Sequence, residues 1–410
     1  MVLVAHLTGN ATWATSLHYR DFRLLWGSTI LYSLGSGMAQ VAVGWLVFEM
    51  TGSPFMVGVA SAAQMAPFFF LGILSGVVAD RVGRRLLMRL ITLAASLIAA
   101  LMAILLLSGV ADVWAVIGLV AAGGCILGFD LTVRQAYTYD IVGPGNALNG
   151  LALTSMGLQA GGIVGAIASG ALIGALGPGW QYVAVSLCYL AAVPLLLAMQ
   201  TESRSVLVQR ESVWGNLASY VRLVRQNRIL LVLMGLASIT EVLGFTHMTL
   251  LPVFAKDVLH VGPVGLGFMT AVRRSGGLVG LWLLANLKDY RHKGLMMFVI
   301  AGAFGLGLMA FSVSTNLYFF LAVLVVVNAC AMAVDTLYKV LMQENVPDEQ
   351  RGRAMGSWVL SIGFAPVGHL GVGGLAGLLG APGALLINGA ALAFISVAAA
   401  VGLPRMRRLR

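Results

Sequence analysis

The chain has 410 residues, of which 59% are hydrophobic and only 10% are charged, and it contains 51 glycines. Soluble proteins carry about 25% charged residues, so this composition excludes an ordinary soluble domain and indicates a protein of the lipid bilayer. The formal net charge is +10, from 25 Lys and Arg against 15 Asp and Glu. Such an excess of basic charge can indicate nucleic acid, an acidic ligand or a membrane surface, and its distribution along the chain decides among them.

Hydrophobic runs long enough to cross a membrane follow one another along the chain. Each helical crossing needs about 20 apolar residues. Twelve runs meet this requirement, at 24–47, 55–79, 86–107, 113–138, 149–174, 180–199, 229–253, 263–287, 294–313, 316–342, 354–380 and 383–403. We therefore predict an all-α polytopic membrane protein with twelve transmembrane helices, called spans one to twelve below.

A polar stretch divides these spans into two sets of six. It holds five arginines and two glutamates, with apolar residues such as Trp214 and Leu217 at roughly helical spacing. This pattern favours an amphipathic helix on the cytoplasmic membrane face, with a solvated connector as the alternative. We predict a six-helix bundle at 1–200, the linker at 201–228 and a second six-helix bundle at 229–410.

The basic residues are distributed unevenly between the two sides of the predicted membrane protein. If the N-terminus is cytoplasmic, the tails and loops on that side hold 20 of the 25 Lys and Arg, and the opposite face keeps only Lys256. Cytoplasmic loops of membrane proteins carry such an excess, so we predict that both termini are cytoplasmic. The basic charge therefore indicates topology, and we expect no nucleic-acid partner.

A charged loop lies between spans two and three and reads Gly76-Val-Val-Ala-Asp80-Arg81-Val-Gly83-Arg84-Arg85. The pattern G-x-x-x-D-R-x-G-R-R at this place resembles the signature loop of the major facilitator superfamily, which implies a cytoplasmic gating hairpin. A plain charged stop between two spans is the alternative. Asp80 can face the positive end of a neighbouring helix, and the arginines keep the loop cytoplasmic. Glycine lets helix and turn pack closely. The gating residues that the resemblance implies are Gly76, Asp80, Arg81, Gly83, Arg84 and Arg85.

The second half of the chain repeats the first at an offset of about 205 residues. Asp130 and Arg134 in span four align with Asp335 and Lys339 in span ten, and each pair lies four residues apart on one helix face. A glycine ladder repeats as well, with Gly170, Gly174 and Gly177 in the first half and Gly373, Gly377 and Gly380 in the second. Two such halves form the transporter architecture in which substrate binds between them near the membrane midplane. The symmetric placement of the charged pairs favours a gating or interdomain role, with structural pairing as the alternative.

A finer resemblance covers almost the whole chain. It is to the bacterial exporters that include enterobactin exporters and macrolide efflux pumps, and the matching stretches lie at 46–54, 76–85, 133–136, 251–259 and 346–356. The resemblance implies a monomeric antiporter of the bacterial cytoplasmic (inner) membrane that exports a siderophore-like or drug-like compound.

Three charged residues lie deep inside the predicted spans. Glu241 is near the middle of span seven, and Arg273 and Arg274 lie at a similar depth in span eight. Charges at this depth are costly and mark coupling or substrate sites. Glu241 is a candidate for proton exchange or substrate binding, and the arginines can neutralise it or bind an anionic substrate; a structural ion pair is the alternative. Adjacent helical residues point about 100° apart, so we expect at most one arginine to face the cavity.

Motifs of other protein classes are missing from the sequence. There is no G-x-x-x-x-G-K-[ST] loop for ATP, and no H-E-x-x-H, C-x-x-C or G-x-S-x-G motif of an enzyme, so we expect no enzymatic activity, no cofactor and no metal. The sequence favours a proton-coupled secondary transporter that exports a small amphipathic or anionic molecule by alternating access. Its partners are then the substrate, protons and the lipid bilayer. Import of a nutrient or siderophore and a non-transporting sensor or assembly protein are the alternatives.

Overall fold

The structure is a computed structural model that describes residues 15–202, 225, 227–287, 291–347 and 350–409. Within these ranges it leaves out the side chains of 72–77, 79–81, 352, 353 and 357. The described residues are almost entirely helical and contain no strand. The predicted amphipathic helix of the linker falls at 203–224, outside the described residues.

The first half of the molecule consists of six helices, labelled α1 to α6. Its members are α1 (Arg20–Thr51), α2 (Pro54–Val82), α3 (Arg84–Leu107), α4 (Val113–Val142) and the two arms of Ala147–Leu197, which are α5 (147–176) and α6 (178–197). Polar residues cap several helix starts; Asp112, for example, accepts a hydrogen bond from the backbone of Trp114. Such a cap satisfies a backbone N–H that the first turn leaves without an intrahelical partner.

The second half repeats this arrangement with helices α7 to α12. They are α7 (Arg228–Leu243), α8 (Gly262–Asn286), α9 (Lys293–Ser312), α10 (Leu317–Glu344), α11 (Arg351–Ile362 together with 365–379) and α12 (381–402, the second arm of Ala365–Gly402). Tighter and wider helical turns extend α7 to Val258, and the short helix Pro404–Arg407 follows α12.

The breaks between the paired arms fall on matching glycines. Gly177 has φ 83° and ψ 170°, and Gly380 has φ 73° and ψ 165°. Only glycine adopts this backbone conformation without strain, so these residues end one span and start the next. The two glycines are 203 residues apart, close to the predicted repeat of about 205.

The predicted number of transmembrane helices agrees with these breaks. Nine segments of the described chain are long and apolar enough to cross a membrane, and two of them contain a glycine break that divides them into two arms. Helix α8 brings the number to twelve, although Arg273 and Arg274 make it less apolar. The predicted all-α fold of two pseudo-symmetric six-helix bundles is confirmed.

Both chain termini of the described region lie at one end of the molecule, here called the terminal end. There the carboxylate of Asp21 at the start of α1 accepts hydrogen bonds from the backbones of Gln200 and Thr201 after α6. In the second half, Gly294 at the start of α9 donates its backbone N–H to Leu409. The opposite end, which holds the α1–α2 and α7–α8 connections, is called the far end.

The two halves pack closely through glycines toward the far end. A Cβ on Gly58 of α2 would lie 2.5 Å from the carbonyl oxygen of His369 in α11, and a Cβ on Gly170 of α5 would lie 2.6 Å from that of Pro263 in α8. A Cβ at either position would therefore clash with backbone. Of the predicted glycine ladder, Gly170 and Gly373 thus serve close contacts between backbones across the boundary of the halves, whereas a Cβ on Gly177 or Gly377 would have no neighbouring atom within 4 Å.

Large apolar side chains cover the outer surface of the bundle. On α3, Leu97 and Ile104 are 58% and 61% exposed, and on α12 Phe394 is 72% exposed. A surface of this kind is unfavourable in water and suits contact with lipid chains.

Candidate functional site

The signature loop forms a tight turn between α2 and α3. Gly83 has φ 84°, in the region that favours glycine, so it is the residue at which the chain reverses. Arg84 Nη1 lies 2.8 Å from Asp140 Oδ1 at the end of α4, and Arg85 Nη1 donates to the carbonyl of Gln200 at 3.3 Å. The loop therefore joins three helix ends of the first half. The side chains of the other predicted residues, Gly76, Asp80 and Arg81, are outside the described part of the structure.

The charged pair of α4 is buried inside the first half. Asp130 accepts from Arg134 Nη2 at 2.5 Å and from its Nε at 3.1 Å, and the two residues are 3% and 1% exposed. Arg134 also donates to Thr29 Oγ1 at 2.9 Å and lies over the ring of Tyr32, 4.8 Å from its centroid. This bidentate pair is fully desolvated, and its described partners belong to α1.

The equivalent pair of α10 is more open and has a different partner. Lys339 Nζ lies 2.7 Å from Asp335 Oδ2, and the side chain of Trp358 in α11 donates to Asp335 Oδ1 at 2.7 Å. Lys339 also lies 4.0 Å from the centre of the Trp358 ring. Glu241 of α7 is half-buried, and the charged groups that act on it are Asp335 and Lys339. The structure thus groups two carboxyl groups and one amine inside the second half.

The two arginines of α8 face the first half and do not pair with Glu241, so the structure does not form the ion pair that the sequence left open as one alternative. Arg274 Nη2 donates to Gln40 Oε1 at 2.9 Å, and Arg273 Nη2 reaches the same oxygen at 3.3 Å. Arg274 Nη1 also donates to Gln159 Oε1 at 3.3 Å. Both arginines therefore contact the same amide oxygen of Gln40, and the expectation that only one would face the cavity is wrong. Their long side chains overcome the angle of about 100° between neighbouring helix positions.

A glycine on α5 makes room for Arg274. A Cβ on Gly162 would lie 2.5 Å from Arg274 Nη1 and 2.7 Å from its Cζ. The guanidinium group crosses the boundary between the halves over this glycine and reaches Gln159 on the same helix. The small residue is thus needed for the position of a charge as well as for helix packing.

Two cavities adjoin at the arginine pair. One, of about 80 Å³, lies between the halves and is lined by residues that include Arg273, Ser61 and His369. The other, of about 210 Å³, lies within the first half, and Arg274 is the one second-half residue among the described residues that line it. Gln40 and Gln64 line both cavities. The arginine pair thus stands where a ligand can contact both halves.

Several residues of this site were missed by sequence reasoning. They are the amides Gln40, Gln64 and Gln159 and the tyrosines Tyr32, Tyr182 and Tyr189, which line the cavities or contact Arg274. Three glutamines inside apolar spans were a signal that was available, because polar side chains in a span require partners within the protein.

Two six-helix bundles that enclose cavities at a pair of cations on their boundary define a transporter of the major facilitator type. Comparison with known proteins gives the family. A family model described as "Transmembrane secretion effector" matches residues 10–409, and the chain belongs to this family. The family and the structural neighbours are transporters and not enzymes.

Curated relatives align with most of the chain at low identity. A staphyloferrin A transporter of Staphylococcus aureus is 21% identical over 85% of this chain and 87% of its own length. The multidrug efflux pump Tap of Mycolicibacterium fortuitum is 24% identical over 92% of this chain and 93% of its own. The enterobactin exporter EntS of Shigella flexneri is 22% identical over 95% and 93%.

Solved structures share the fold at still lower identity. The nucleoside transporter NupG superposes with a TM-score of 0.75 at 15% identity and covers 95% of this chain and 100% of its own. A bacterial homologue of the lysosomal transporter Spinster, inward-facing and unoccupied, gives a TM-score of 0.72 at 14% identity over 97% and 98%. These likenesses confirm the fold.

Proposed function

We propose that this protein is a proton-coupled exporter of a small amphipathic organic anion. The observation that carries the proposal is the pair Arg273 and Arg274, which meet at Gln40 beside two cavities. No carboxylate in the described part of the chain forms an ion pair with either arginine. Uncompensated positive charge within a bilayer is costly, and an anionic substrate would relieve that cost.

Proton coupling is assigned to the cluster in the second half. Glu241 lies near Asp335 and Lys339, and the amine of Lys339 forms its ion pair with Asp335. Two carboxylates near one cation cannot both be neutralised by it, which favours binding of a proton by one of them. Such a group takes up a proton when it faces one side of the membrane and releases it on the other.

The direction of transport is assigned from charge distribution and from relatives. The described terminal end carries Arg20, Arg23, Arg84, Arg85 and Arg89, which supports a cytoplasmic terminal end in the inner membrane. Among the relatives, Tap is named an efflux pump and EntS an exporter. With the bundles at 1–200 and 229–410 rocking about the cavity, the anion would leave the cytoplasm as a proton enters.

The signature loop and the two helix pairs are assigned to the conformational cycle. The loop residues Arg84 and Arg85 hold ends of α4 and α6 to the start of α3. The pairs Asp130–Arg134 and Asp335–Lys339 fix α4 to α1 and α10 to α11. These contacts would keep each bundle rigid while the bundles move. One chain contains both bundles, the loop and the two pairs, so we propose that the protein works as a monomer.

The experiment that tests this function uses everted membrane vesicles, whose cytoplasmic face is outside. Vesicles with and without the protein are energised and incubated with a small-molecule extract of the bacterial cells that make the protein. The compounds inside the vesicles are then identified by mass spectrometry. We expect an organic anion to accumulate only in vesicles that contain the protein, and to be lost when the pH gradient is collapsed. Accumulation that survives collapse of the gradient contradicts proton coupling, and no accumulation contradicts export.

A further inference from the structure

The cavity of the first half has an apolar wall with a few polar groups at defined places. Its wall includes Ile98, Met102, Leu119 and Val120 from α3 and α4. Tyr182 of α6 also lines it, and Arg274 stands at its boundary with the second half. A ligand in this cavity would place its apolar part among the first-half helices and its head at the arginines.

The arginine pair is held by an acceptor that an acidic head could replace. Gln40 Oε1 is neutral and receives bonds from both Arg273 and Arg274. An arginine–carboxylate contact is stronger than an arginine–amide contact, because both partners are charged and two parallel hydrogen bonds can form. A carboxylate would therefore compete well with the amide oxygen of Gln40.

Two hydrogen-bond donors at this cavity lack a partner in the described structure. They are the hydroxyl of Tyr182 and Nε of Arg274, and both atoms are buried. Tyr182 as a residue is only 4% exposed. Buried donors in proteins almost always have a hydrogen-bond partner, so a ligand with acceptor atoms in this cavity would supply partners for these two donors.

We infer that the first-half cavity binds a compact organic carboxylate that has a second hydrogen-bond acceptor. Its carboxylate replaces Gln40 Oε1 on Arg273 and Arg274 and satisfies Arg274 Nε. Its apolar body lies among α3, α4 and α6, and its second acceptor receives the hydroxyl proton of Tyr182. This inference rests on the proposed function and names the class of its substrate.

The charge requirement is tested by calorimetric titration of the purified full-length protein. The probes are 2-naphthoate, 2-naphthamide and 2-naphthamidine, which share one shape and carry negative, zero and positive charge. We expect 2-naphthoate to bind about tenfold tighter than the amide, with the amidine weakest. Equal affinity for the three probes, tighter binding of the amidine, or no binding of 2-naphthoate at millimolar concentration would overturn the inference.

The positions of the two recognition points are tested with variants and a second probe pair. Arg274→Gln is expected to abolish the preference for 2-naphthoate over 2-naphthamide. Tyr182→Phe is expected to abolish a several-fold preference for 6-methoxy-2-naphthoate over 6-ethyl-2-naphthoate and to leave the charge preference unchanged. Tyr318→Phe makes the same change at a residue that is 82% exposed and is the matched control. If Tyr182→Phe and Tyr318→Phe behave alike, the second recognition point is refuted.

The outcomes also separate this inference from the proposed function. Export of a cation by the energised vesicles, together with amidine-selective binding, would refute the substrate class and leave an exporter. Carboxylate-selective binding in a protein that exports nothing would refute the proposed function and leave the binding site.

Discussion

Arg274 and Gly162 face each other across the boundary between the halves, and a Cβ at position 162 would lie 2.5 Å from Arg274 Nη1. Gly162→Ala would therefore displace the guanidinium group while keeping its charge. Because the nearest atoms belong to the end of a flexible side chain, we expect the protein to fold. We expect affinity for 2-naphthoate to fall about tenfold, as measured by calorimetry.

Gly118→Ala is the matched control for that variant. Gly118 lies on α4, and a Cβ there would have no neighbouring atom within 4 Å. We expect it to bind 2-naphthoate like the unaltered protein. Equal affinities in Gly162→Ala and Gly118→Ala would show that the position of Arg274 does not matter for binding.

Replacement of Glu241 tests the coupling cluster. Glu241→Gln keeps the shape of the side chain and removes its ability to bind and release a proton. We expect proteoliposomes with this variant to lose accumulation driven by a pH gradient, and to retain exchange of labelled for unlabelled substrate, which needs no net proton movement. The substrate is the compound found in the vesicle experiment.

Glu344→Gln is the control, because Glu344 pairs with Lys293 at the terminal end and is 37% exposed at its side chain. Exposed ion pairs contribute little, so coupling should be unchanged. If gradient-driven accumulation persists in Glu241→Gln, then Glu241 does not carry the proton.

Lys256 of the second half contacts aromatic rings of the first half at the far end. Its Nζ lies 5.3 Å from the ring centre of Phe48 and 5.9 Å from that of Trp45, so a cation of the second half rests on two rings of α1. Lys256→Met removes this cation–π contact, and Lys256→Arg keeps it. We expect faster opening of the far end in Lys256→Met only.

The opening is measured as the rate at which an impermeant maleimide labels Ser61→Cys, a residue that lines the cavity between the halves. The three native cysteines, Cys125, Cys188 and Cys330, are first replaced by alanine. We expect a several-fold faster rate with Lys256→Met. Equal rates in the Met and Arg variants would exclude a contribution from the cation.

The buried pair of α4 predicts a loss of stability. Asp130→Asn leaves Arg134 charged and desolvated, which costs roughly 3–5 kcal/mol when one partner of a buried pair is removed. We expect a large drop in the thermal unfolding midpoint. Replacing both residues, with Asp130→Leu and Arg134→Met, should restore most of it, because no unpaired charge remains. A double variant less stable than Asp130→Asn would contradict this explanation.

Much of the fold could be predicted because it depends on local patterns. The apolar runs predict the spans, the repeated glycines reveal the two related halves, and the spacing of four residues predicts the pairs on α4 and α10. Each of these depends on backbone conformation or on one helix face, which a sequence specifies directly.

The site was less predictable because it depends on which helices lie side by side. Arg273 and Arg274 of α8 contact Gln40 of α1 and Gln159 of α5, at sequence separations of up to 234 residues. Their positions within the predicted spans placed the arginines at the same membrane depth as Glu241. Depth alone does not determine which neighbouring helix a side chain faces. The direction is set by packing of α8 against α5, where Gly162 leaves space.

Export of a carboxylate through the arginine pair is tested most directly by mass spectrometry of medium and cell extract. The bacteria carry the protein, lack it, or carry Arg274→Gln, and they are grown with and without iron limitation. We predict that one organic carboxylate leaves the medium and builds up inside cells that lack the protein. The unaltered protein should restore its export, and Arg274→Gln should not. A compound that instead remains in the medium when the protein is absent, or full export with Arg274→Gln, would contradict this function.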